Sequence, residues 1–474
     1  MSDQDRPQDP GLPPQPRAIL RGHKAQVHAQ AFIRSNQRLL TGDADGFVVA
    51  WDLATMRPRA VWQAHMGAIL GIAGWASDKI ITHGRDNKLI VWKMTLEDEP
   101  ALSSTLPLDV ATEPRPKPWM LHLLQVNTMN FCAFACCATA PFTLPTASAT
   151  PPSSSENTPD PGSELFVAVP NTLASEAVDI YSLPSQTRIH TVRLGQENGM
   201  AMALALVWLH DVLALVAGYE NGLAVVAQLD PGGGGSWETT YRNKSHSQPI
   251  LSLDVAPDRE YFLTTGADAT IAKHPLLPQA PLVPDSAQDA SETFPPDAGP
   301  KGMPPRGEED PESGIEKKQP SSALAVALSS QASTGRPAPL GTPEIRTRPI
   351  KVIDTKHSGQ QGIRIRSDGR VFATAGWDSK TRVYSTKSMR EVAVLKWHAV
   401  GCFTVAFADL TAHDSFTDSK TKTKPADEDA ASNTRVAPRL LKMTVKERRL
   451  KRATNAHWLA VGSKDGKVSL WDVF

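Results

Sequence analysis

The chain has 474 residues, of which 40% are hydrophobic and 21% are charged, so it can bury a sizeable core. Its 50 basic residues balance its 50 acidic ones, which excludes a global electrostatic attraction to nucleic acid or membrane. Four cysteines are too few for a small secreted domain held by disulfides. Residues 1–16 are polar and proline-rich without an apolar signal core, so we expect a disordered tail on an intracellular protein.

Two neighbouring segments near the start of the chain repeat one pattern. Each contains a histidine, a threonine, an aspartate and a tryptophan at matching intervals: His23, Thr41, Asp45 and Trp51, then His65, Thr82, Asp86 and Trp92. The runs between these residues are apolar and β-branched, and Asp45-Gly46 is a typical hairpin turn. The pattern therefore predicts short antiparallel strands joined by tight turns.

Weaker copies of the pattern follow along the chain. A faint copy lies between Trp119 and Tyr181, and another surrounds Gly218, Asn221 and Gly222. The later copies keep more of the spacing: His246, Thr264 and Asp268 with His274 in the tryptophan position, then His357, Thr374, Asp378 and Tyr384, and finally Asp465 and Trp471. Together with the first two, these copies indicate seven repeated units.

The repeated unit resembles the WD40 repeat, whose members fold into β-propellers. In that family the histidine, the hydroxyl residue, the turn aspartate and the tryptophan form one hydrogen-bonded set, so the resemblance implies this structural role for the matching residues. A buried His and Asp need each other because each otherwise loses its hydration without compensation. The predicted fold class is therefore all-β, a seven-bladed WD40 β-propeller over residues 17–474.

The two ends of the chain are predicted to complete one blade together. Only Val473 and Phe474 follow Trp471-Asp472, so the last unit lacks an outer strand. Residues Arg17–Leu20, just before the first histidine, can supply that strand by pairing with Val468–Asp472. This pairing would close the ring and remove two exposed sheet edges.

Three inserts interrupt the repeats, at about 141–163, 275–349 and 411–455. We expect disorder there because prolines and polar residues cannot build a core. The third insert splits the last unit and ends in a basic stretch, 435–452, where one side of a helix could be formed by Leu440, Leu441, Val445 and Leu450. A solvated loop, a nuclear import signal and a site for an anionic partner are all open interpretations of this stretch.

Two features imitate other kinds of site. The apolar run 199–218 has the length of a membrane span, but a polar turn at its middle favours two buried strands. Cys132, Cys136 and Cys137 lie on an apolar run typical of a buried strand, so we expect structural thiols rather than metal ligands. No catalytic, cofactor-binding or metal-binding motif stands out elsewhere, so we predict no residue for any of these roles.

One face of the predicted propeller is the candidate for partner binding. Successive strands of a blade run antiparallel, so the loop carrying the histidine and the turn carrying the aspartate open on the same side. The residues beside the turn aspartate are therefore candidate partner-binding residues: Arg85, Tyr219, Trp377 and Lys464. Arginine, tyrosine and tryptophan commonly anchor protein interfaces. For Tyr219 and Trp377, packing between blades is the alternative.

The stretch Pro16–Trp92 resembles the fungal ASTRA-associated protein 1 family, through its segments Leu40–Gly46 and Ile81–Leu89. The segment Gly218–Gly222 and the Trp-Asp-Val-Phe end add to the likeness. The resemblance implies a non-catalytic scaffold subunit of the nuclear ASTRA complex, which is linked to chromatin remodelling. The expected partners are protein subunits of that complex, with no cofactor, small-molecule substrate, membrane or direct nucleic-acid contact.

Other functions of a WD40 propeller stay open at this stage. A G-protein β-like adaptor and a substrate-recognition subunit of a ubiquitin ligase are the alternatives. A heterotrimeric β subunit proper would need an N-terminal coiled coil, whereas residues 1–16 contain five prolines and no heptads. An enzyme would need acids, bases or metal ligands converging on the central channel, and the sequence indicates none.

Overall fold

The computed structural model describes residues 14–109, 114–127, 129, 131–141, 164–232, 234–277, 345–410 and 444–473. Within them, 28 strands pair antiparallel into seven four-stranded sheets, which are the blades of a propeller. At most junctions the innermost strands of neighbouring blades contact each other, and the contact of the last with the first completes a ring. The prediction of an all-β, seven-bladed propeller is confirmed.

Each blade is a meander whose strands follow one another from the centre outwards. Blades 1 to 3 consist of β2 (Val27–Ile33), β3 (Arg38–Asp43), β4 (Phe47–Asp52) and β5 (Arg57–Gln63); β6 (Ile69–Trp75), β7 (Lys79–Gly84), β8 (Lys88–Lys93) and β9 (Trp119–Gln125); and β10 (Ala135–Ala138), β11 (Leu165–Pro170), β12 (Val178–Leu183) and β13 (Thr187–Val192). Blades 4 to 6 consist of β14 (Ala201–Leu209), β15 (Val212–Tyr219), β16 (Leu223–Leu229) and β17 (Trp237–Lys244); β18 (Ile250–Val255), β19 (Tyr261–Gly266), β20 (Thr270–Pro275) and β21 (Lys351–Asp354); and β22 (Gln360–Ile365), β23 (Val371–Gly376), β24 (Thr381–Ser385) and β25 (Glu391–Leu395).

Blade 7 is built from both ends of the chain. Its order from the centre is β26 (Cys402–Phe407), β27 (Trp458–Ser463), β28 (Lys467–Asp472) and β1 (Ala18–Arg21). In this outer pair Leu20 lies opposite Val468, and the Arg17 backbone N–H donates to the carbonyl of Leu470 at 2.8 Å. The predicted closure of the ring through the N-terminal strand is confirmed.

The pattern of burial follows from stacking the blades face to face. Strand β3 is buried at every position because both of its faces lie against neighbouring blades, and its buried Thr41 and Asp43 are satisfied by hydrogen bonds to His23. The outermost strand β5 alternates exposed and partly buried residues over its first half. Tight turns join the middle strands, and Gly46 adopts φ +81° in one of them, where a Cβ would lie 2.0 Å from the His65 carbonyl oxygen.

The apolar run 199–218 forms two strands, β14 and β15, joined at His210 and Asp211, as its polar interruption predicted. No described helix is long and apolar enough to cross a membrane. Two short 3-10 helices, Glu99–Ala101 and Gln196–Asn198, and one α-helix, α1 (Val445–Asn455), complete the described elements.

The inserts interrupt blades 3, 5 and 7, and most of their residues lie outside the described ones. Two predicted boundaries were too wide. Pro275 ends β20, and Arg346 is held because its guanidinium donates to the carbonyls of Leu276 and Leu277 at 2.9 and 2.5 Å. The third insert ends in α1, because Thr444 and Glu447 form a capping box that starts a helix. The predicted Leu440 and Leu441 lie outside the described residues.

Candidate partner-binding face

Hydrogen-bonded sets hold the turns of blades 2 and 5. In blade 2, His65 contacts Asp86 through Nδ1 at 2.7 Å and Thr82 through Nε2 at 2.8 Å, while Trp92 Nε1 donates to Thr82 at 2.8 Å. The structure thus brings all four predicted residues together. Burial lowers the pKa of His65, which favours its neutral form at neutral pH.

Blade 5 builds the same set with a histidine in the place of the tryptophan. His246 contacts Asp268 at 2.9 Å and Thr264 at 2.8 Å. His274 Nε2 reaches Thr264 at 2.9 Å, and its Nδ1 lies 2.7 Å from the Tyr241 hydroxyl. Burial of the ring lowers the pKa of His274 to about 3. His274 thus takes over the tryptophan's hydrogen bond to the threonine, and the Tyr241 hydroxyl satisfies its other ring nitrogen.

In blade 1 the prediction for Asp45 is wrong. His23 Nδ1 contacts Asp43 at 2.7 Å, and its Nε2 contacts Thr41 at 2.7 Å, where Trp51 also donates at 2.9 Å. Asp43 is fully buried at the end of β3, and its other oxygen accepts from the backbone N–H of Asp45. The Asp45 side chain is exposed, because Asp43, two residues before it, already satisfies His23.

The predicted set is incomplete in blade 6. His357 is partly exposed and its Nδ1 lies 4.0 Å from Asp378, whose carboxylate is held by Arg382 at 2.6 Å. No hydrogen bond joins His357 to Thr374 among the contacts of the described chain. Tyr384 occupies the tryptophan position and stacks on Phe372, with ring centroids 5.0 Å apart.

In blade 7 the hydroxyl group of the set comes from a residue on the neighbouring strand. Val461 takes the position of the threonine and lies opposite Ser469 on β28. Ser469 bonds His398 at 2.8 Å and accepts from Trp471 Nε1 at 2.8 Å. Asp465 is instead held by Ser463 and Lys467, so the structure places it apart from the His398–Trp471 set.

The residues next to the turn aspartates share one backbone contact. In blade after blade, an N–H at this position donates to a carbonyl in the loop before the innermost strand. Arg85 donates to Ala68, Trp377 to Gly359 and Lys464 to Gly401, each at 2.9 Å. These loops and turns therefore open on one side of the ring, which we call the His/Asp face.

Tyr219 is the one predicted partner-binding residue that does not reach this face. It is the last residue of β15, is 0% exposed, and donates its hydroxyl proton to the Glu176 carbonyl at 3.2 Å. The equivalent of Arg85 in blade 4 is Glu220, which donates its N–H to Met200 at 2.9 Å. The prediction failed because Gly218-Tyr219 imitates the Gly-Arg and Gly-Trp pairs of other blades, one residue out of register.

The other three predicted residues stand around the mouth of the central channel. Arg85 and Lys464 are exposed, and Trp377 is 48% exposed with its Nε1 donating to Gln361 at 2.9 Å. Trp377 and Lys464 line a depression of 540 Å³ together with Gln361, Val400, Gly401 and Phe403. Gln361 and Phe403 also line the channel, as does Arg85, so the depression opens at the channel mouth.

Apolar side chains that the sequence analysis missed extend this area. Arg85 lies over the ring of Phe131 at 4.0 Å, and Phe131 is 59% exposed with φ at +53°. Met66, beside His65 in the loop before β6, is 78% exposed. We define the rim surface as Met66, Arg85, Phe131, Trp377 and Lys464. Cations combined with exposed aromatic and thioether groups are typical of protein interfaces.

The comparison with known proteins agrees with the resemblance in the sequence. The family model of ASTRA-associated protein 1 matches residues 16–471. The chain belongs to this family. Proteins of that name from Pyricularia oryzae and Verticillium alfalfae are 49% and 50% identical to it, covering 98% and 97% of this chain and 98% and 93% of their own lengths. The relative from Schizosaccharomyces pombe is 28% identical over 83% of this chain and 93% of its own.

Only some of the exposed apolar residues absent from the sequence predictions could have been found from the sequence. Met66 directly follows a predicted histidine, and the loop position could have suggested exposure. Phe131 lies between β9 and β10, where the repeat is faint and no spacing marks a rim position. Leu173, in the turn between β11 and β12 of the same blade, is 97% exposed and was missed for the same reason.

The cysteines form no metal site within the described residues, where no group of three or more possible ligands gathers. Cys132 is buried, and Cys136 and Cys137 are partly buried on or beside β10. Burial raises the pKa of Cys136 to about 11 and that of Cys137 to about 12. These thiols are therefore protonated at neutral pH and poor metal ligands or nucleophiles.

Proposed function

We propose that this chain is a non-catalytic scaffold subunit associated with the ASTRA complex, that it works in the nucleus and that it serves an assembly linked to chromatin remodelling. The association with ASTRA is carried over from the name of the family and of its relatives. Protein subunits of the complex are the proposed partners, and the rim surface is the proposed site of contact.

The observation that carries a binding role is the composition of the rim surface. Arg85, Phe131, Trp377 and Lys464 line the channel or the depression at its mouth, Met66 lies on the same face, and Met66, Phe131 and Trp377 are each about half exposed or more. Burying such residues against a partner is favourable because apolar area leaves water. The strained φ of Phe131 adds weight, because backbone strain tends to be retained at functional sites.

A non-catalytic role is supported by the hydrogen bonds that the repeated histidines and aspartates make. His65 with Asp86 and His246 with Asp268 are engaged with each other inside their blades. Burial lowers the pKa of His274 to about 3, far from the range suited to proton transfer at neutral pH. These groups hold the turns of the propeller in place.

The test uses the tagged full chain in its own host. An Arg85→Ala, Trp377→Ala variant should fold like the parent but lose co-purifying ASTRA subunits, because truncating two anchors weakens binding by more than about tenfold. The matched control is Arg57→Ala, Trp119→Ala, which removes an exposed arginine and an exposed tryptophan from the outer strands β5 and β9. If both variants retain every ASTRA subunit, the rim surface is not the contact site.

The nuclear location is tested separately with a fluorescent fusion of the full chain in the same host. We expect the signal to overlap a nuclear marker. An even distribution, or exclusion from the nucleus, would contradict this part of the proposal.

A further inference from the structure

A second charged surface lies on the opposite side of the ring from the His/Asp face. Helix α1 joins β26 to β27, the first and second strands of blade 7, and such connections open away from the turns between second and third strands. It contains five basic residues and one acidic residue, a net charge of +4 in a chain with no net charge. The positive charge of this helix is therefore a local feature and not a property of the whole chain.

The C-terminal end of α1 is fixed to the propeller. Ala453 is buried, and its carbonyl accepts a hydrogen bond from Trp458 Nε1 at 2.8 Å. Both residues belong to the apolar core shared by blades 7 and 1. Leu450, one turn before Ala453, is partly buried on the same side. The helix is therefore anchored at this end, while every residue from Val445 to Arg449 is exposed to solvent.

The exposed surface of the helix combines cations with one apolar residue. Val445, Arg448, Arg449 and Arg452 are spaced as one helical stripe, and all four are exposed. We call them the basic stripe; Lys451 flanks it. Glu447 bonds the backbone N–H of Thr444 at 2.7 Å as part of the capping box. Among the described residues, Arg448, Arg449 and Lys451 have no acidic side chain within 4.0 Å.

We infer that the basic stripe docks an acidic protein segment that also carries apolar side chains. Arg448 and Arg449, which are exposed and have no acidic side chain within 4.0 Å among the described residues, favour carboxylates, to which guanidinium groups bind in a paired geometry. Val445, 58% exposed within the stripe, favours a protein over a nucleic acid, because a phosphate backbone would leave it uncovered. One helix of 11 residues without an aromatic side chain is also small for a nucleic-acid interface.

Binding is measured by fluorescence anisotropy with the purified full chain. The probe is a labelled helical peptide of about 14 residues, rich in glutamate with leucines on one side, and a second peptide has serines in place of the leucines. An Arg448→Gln, Arg449→Gln, Lys451→Gln variant should bind the leucine peptide about tenfold more weakly, because three exposed ion pairs are lost. Glutamine keeps the helix propensity of the residues it replaces.

The controls separate charge, apolar contact and position. Val445→Ser should weaken the leucine peptide about threefold and leave the serine peptide unchanged. Lys387→Gln, Arg390→Gln, Lys396→Gln removes three exposed cations from blade 6 and should change nothing. Unchanged binding by the α1 triple variant overturns the proposal. Tighter binding of an equally charged DNA or RNA oligonucleotide to α1, compared with the leucine peptide, also overturns the proposal.

Discussion

Replacing the buried His83 by leucine should stabilise the propeller. His83 lies on β7 and is 0% exposed, with its ring edge-on to Phe134, and neither ring nitrogen has a hydrogen-bond partner within the described chain. A buried polar group without a partner costs about 1–3 kcal/mol. Leucine has a similar volume, and repacking against Phe134 takes back part of the gain. We therefore expect His83→Leu to raise the free energy of unfolding by about 1 kcal/mol at pH 7.5.

The effect should grow in acid. Burial, reinforced by the neighbouring His65, lowers the pKa of His83 in the folded chain to about 3, whereas the unfolded value is about 6.5. Between these values the unfolded chain binds a proton that the folded chain excludes. The free energy of unfolding of the parent therefore falls as the pH drops below 6.5. At pH 5 the contribution of His83 to this loss is about 2 kcal/mol, which the leucine variant escapes.

Urea unfolding of the full chain, followed by tryptophan fluorescence at pH 7.5 and pH 5, measures both effects. His210→Asn is the control, because His210 is exposed at φ +56° and asparagine tolerates this backbone conformation. It should leave both stabilities unchanged. If His83→Leu is no more stable than the parent at pH 7.5, and the difference in free energy of unfolding does not grow at pH 5, the unpaired ring nitrogens do not destabilise the propeller.

Three further outcomes follow from named contacts. Deleting residues 1–21 removes β1 and the buried Leu20, so the free energy of unfolding should fall by about 5 kcal/mol, and an unchanged melting curve would refute the closure of blade 7. Asp43→Ala should cost about 1–3 kcal/mol and Asp45→Ala much less, and equal losses in thermal unfolding would contradict the bond from His23 to Asp43. Burial raises the pKa of Cys402 to about 12, so alkylation at pH 7.5 should be slow in the native chain and fast in urea; rapid native labelling of Cys402 by mass spectrometry would show it accessible.

The spacing of repeated residues and their resemblance to the WD40 repeat were enough to predict the ring, because several blades keep the bonds from histidine to hydroxyl and aspartate. The WD40 resemblance implied the His65–Thr82–Asp86–Trp92 set, and the missing outer strand of the last unit predicted the pairing of β1 with β28. Spacing does not show which of two nearby carboxylates faces inward. In Asp43-Ala44-Asp45 the first acid ends β3 and bonds His23, whereas the second lies in the following turn and is exposed.

Contacts across strands were beyond the reach of the sequence for a different reason. The hydroxyl of blade 7 sits on Ser469 of β28 rather than on β27, and only the pairing of Val461 with Ser469 reveals the exchange. Tyr219 was misplaced because one residue of register separates a buried strand end from an exposed turn. The rim around Phe131 depends on how an irregular connection folds, which no periodic pattern records.

One position of the repeat frees its side chain for binding, because the fold needs only its backbone. The residue before the turn aspartate, or before Asn221 in blade 4, is Ala44, Arg85, Glu220, Ala267, Trp377 or Lys464 in six blades, and in each its N–H donates to the preceding loop at 2.9–3.0 Å. In blade 2 the next residue, Asp86, supplies instead the carboxylate that His65 requires.

Neighbouring substitutions in this turn should therefore act differently. Asp86→Ala should cost about 1–3 kcal/mol of stability, because it leaves Nδ1 of the buried His65 without its hydrogen-bond partner. Arg85→Ala keeps the backbone bond and should cost less than about 0.5 kcal/mol, the usual range for surface changes. Urea unfolding gives both values for the same turn. If Arg85→Ala destabilises as much as Asp86→Ala, its stacking on Phe131 is structural, and the rim surface must be sought around Trp377 alone.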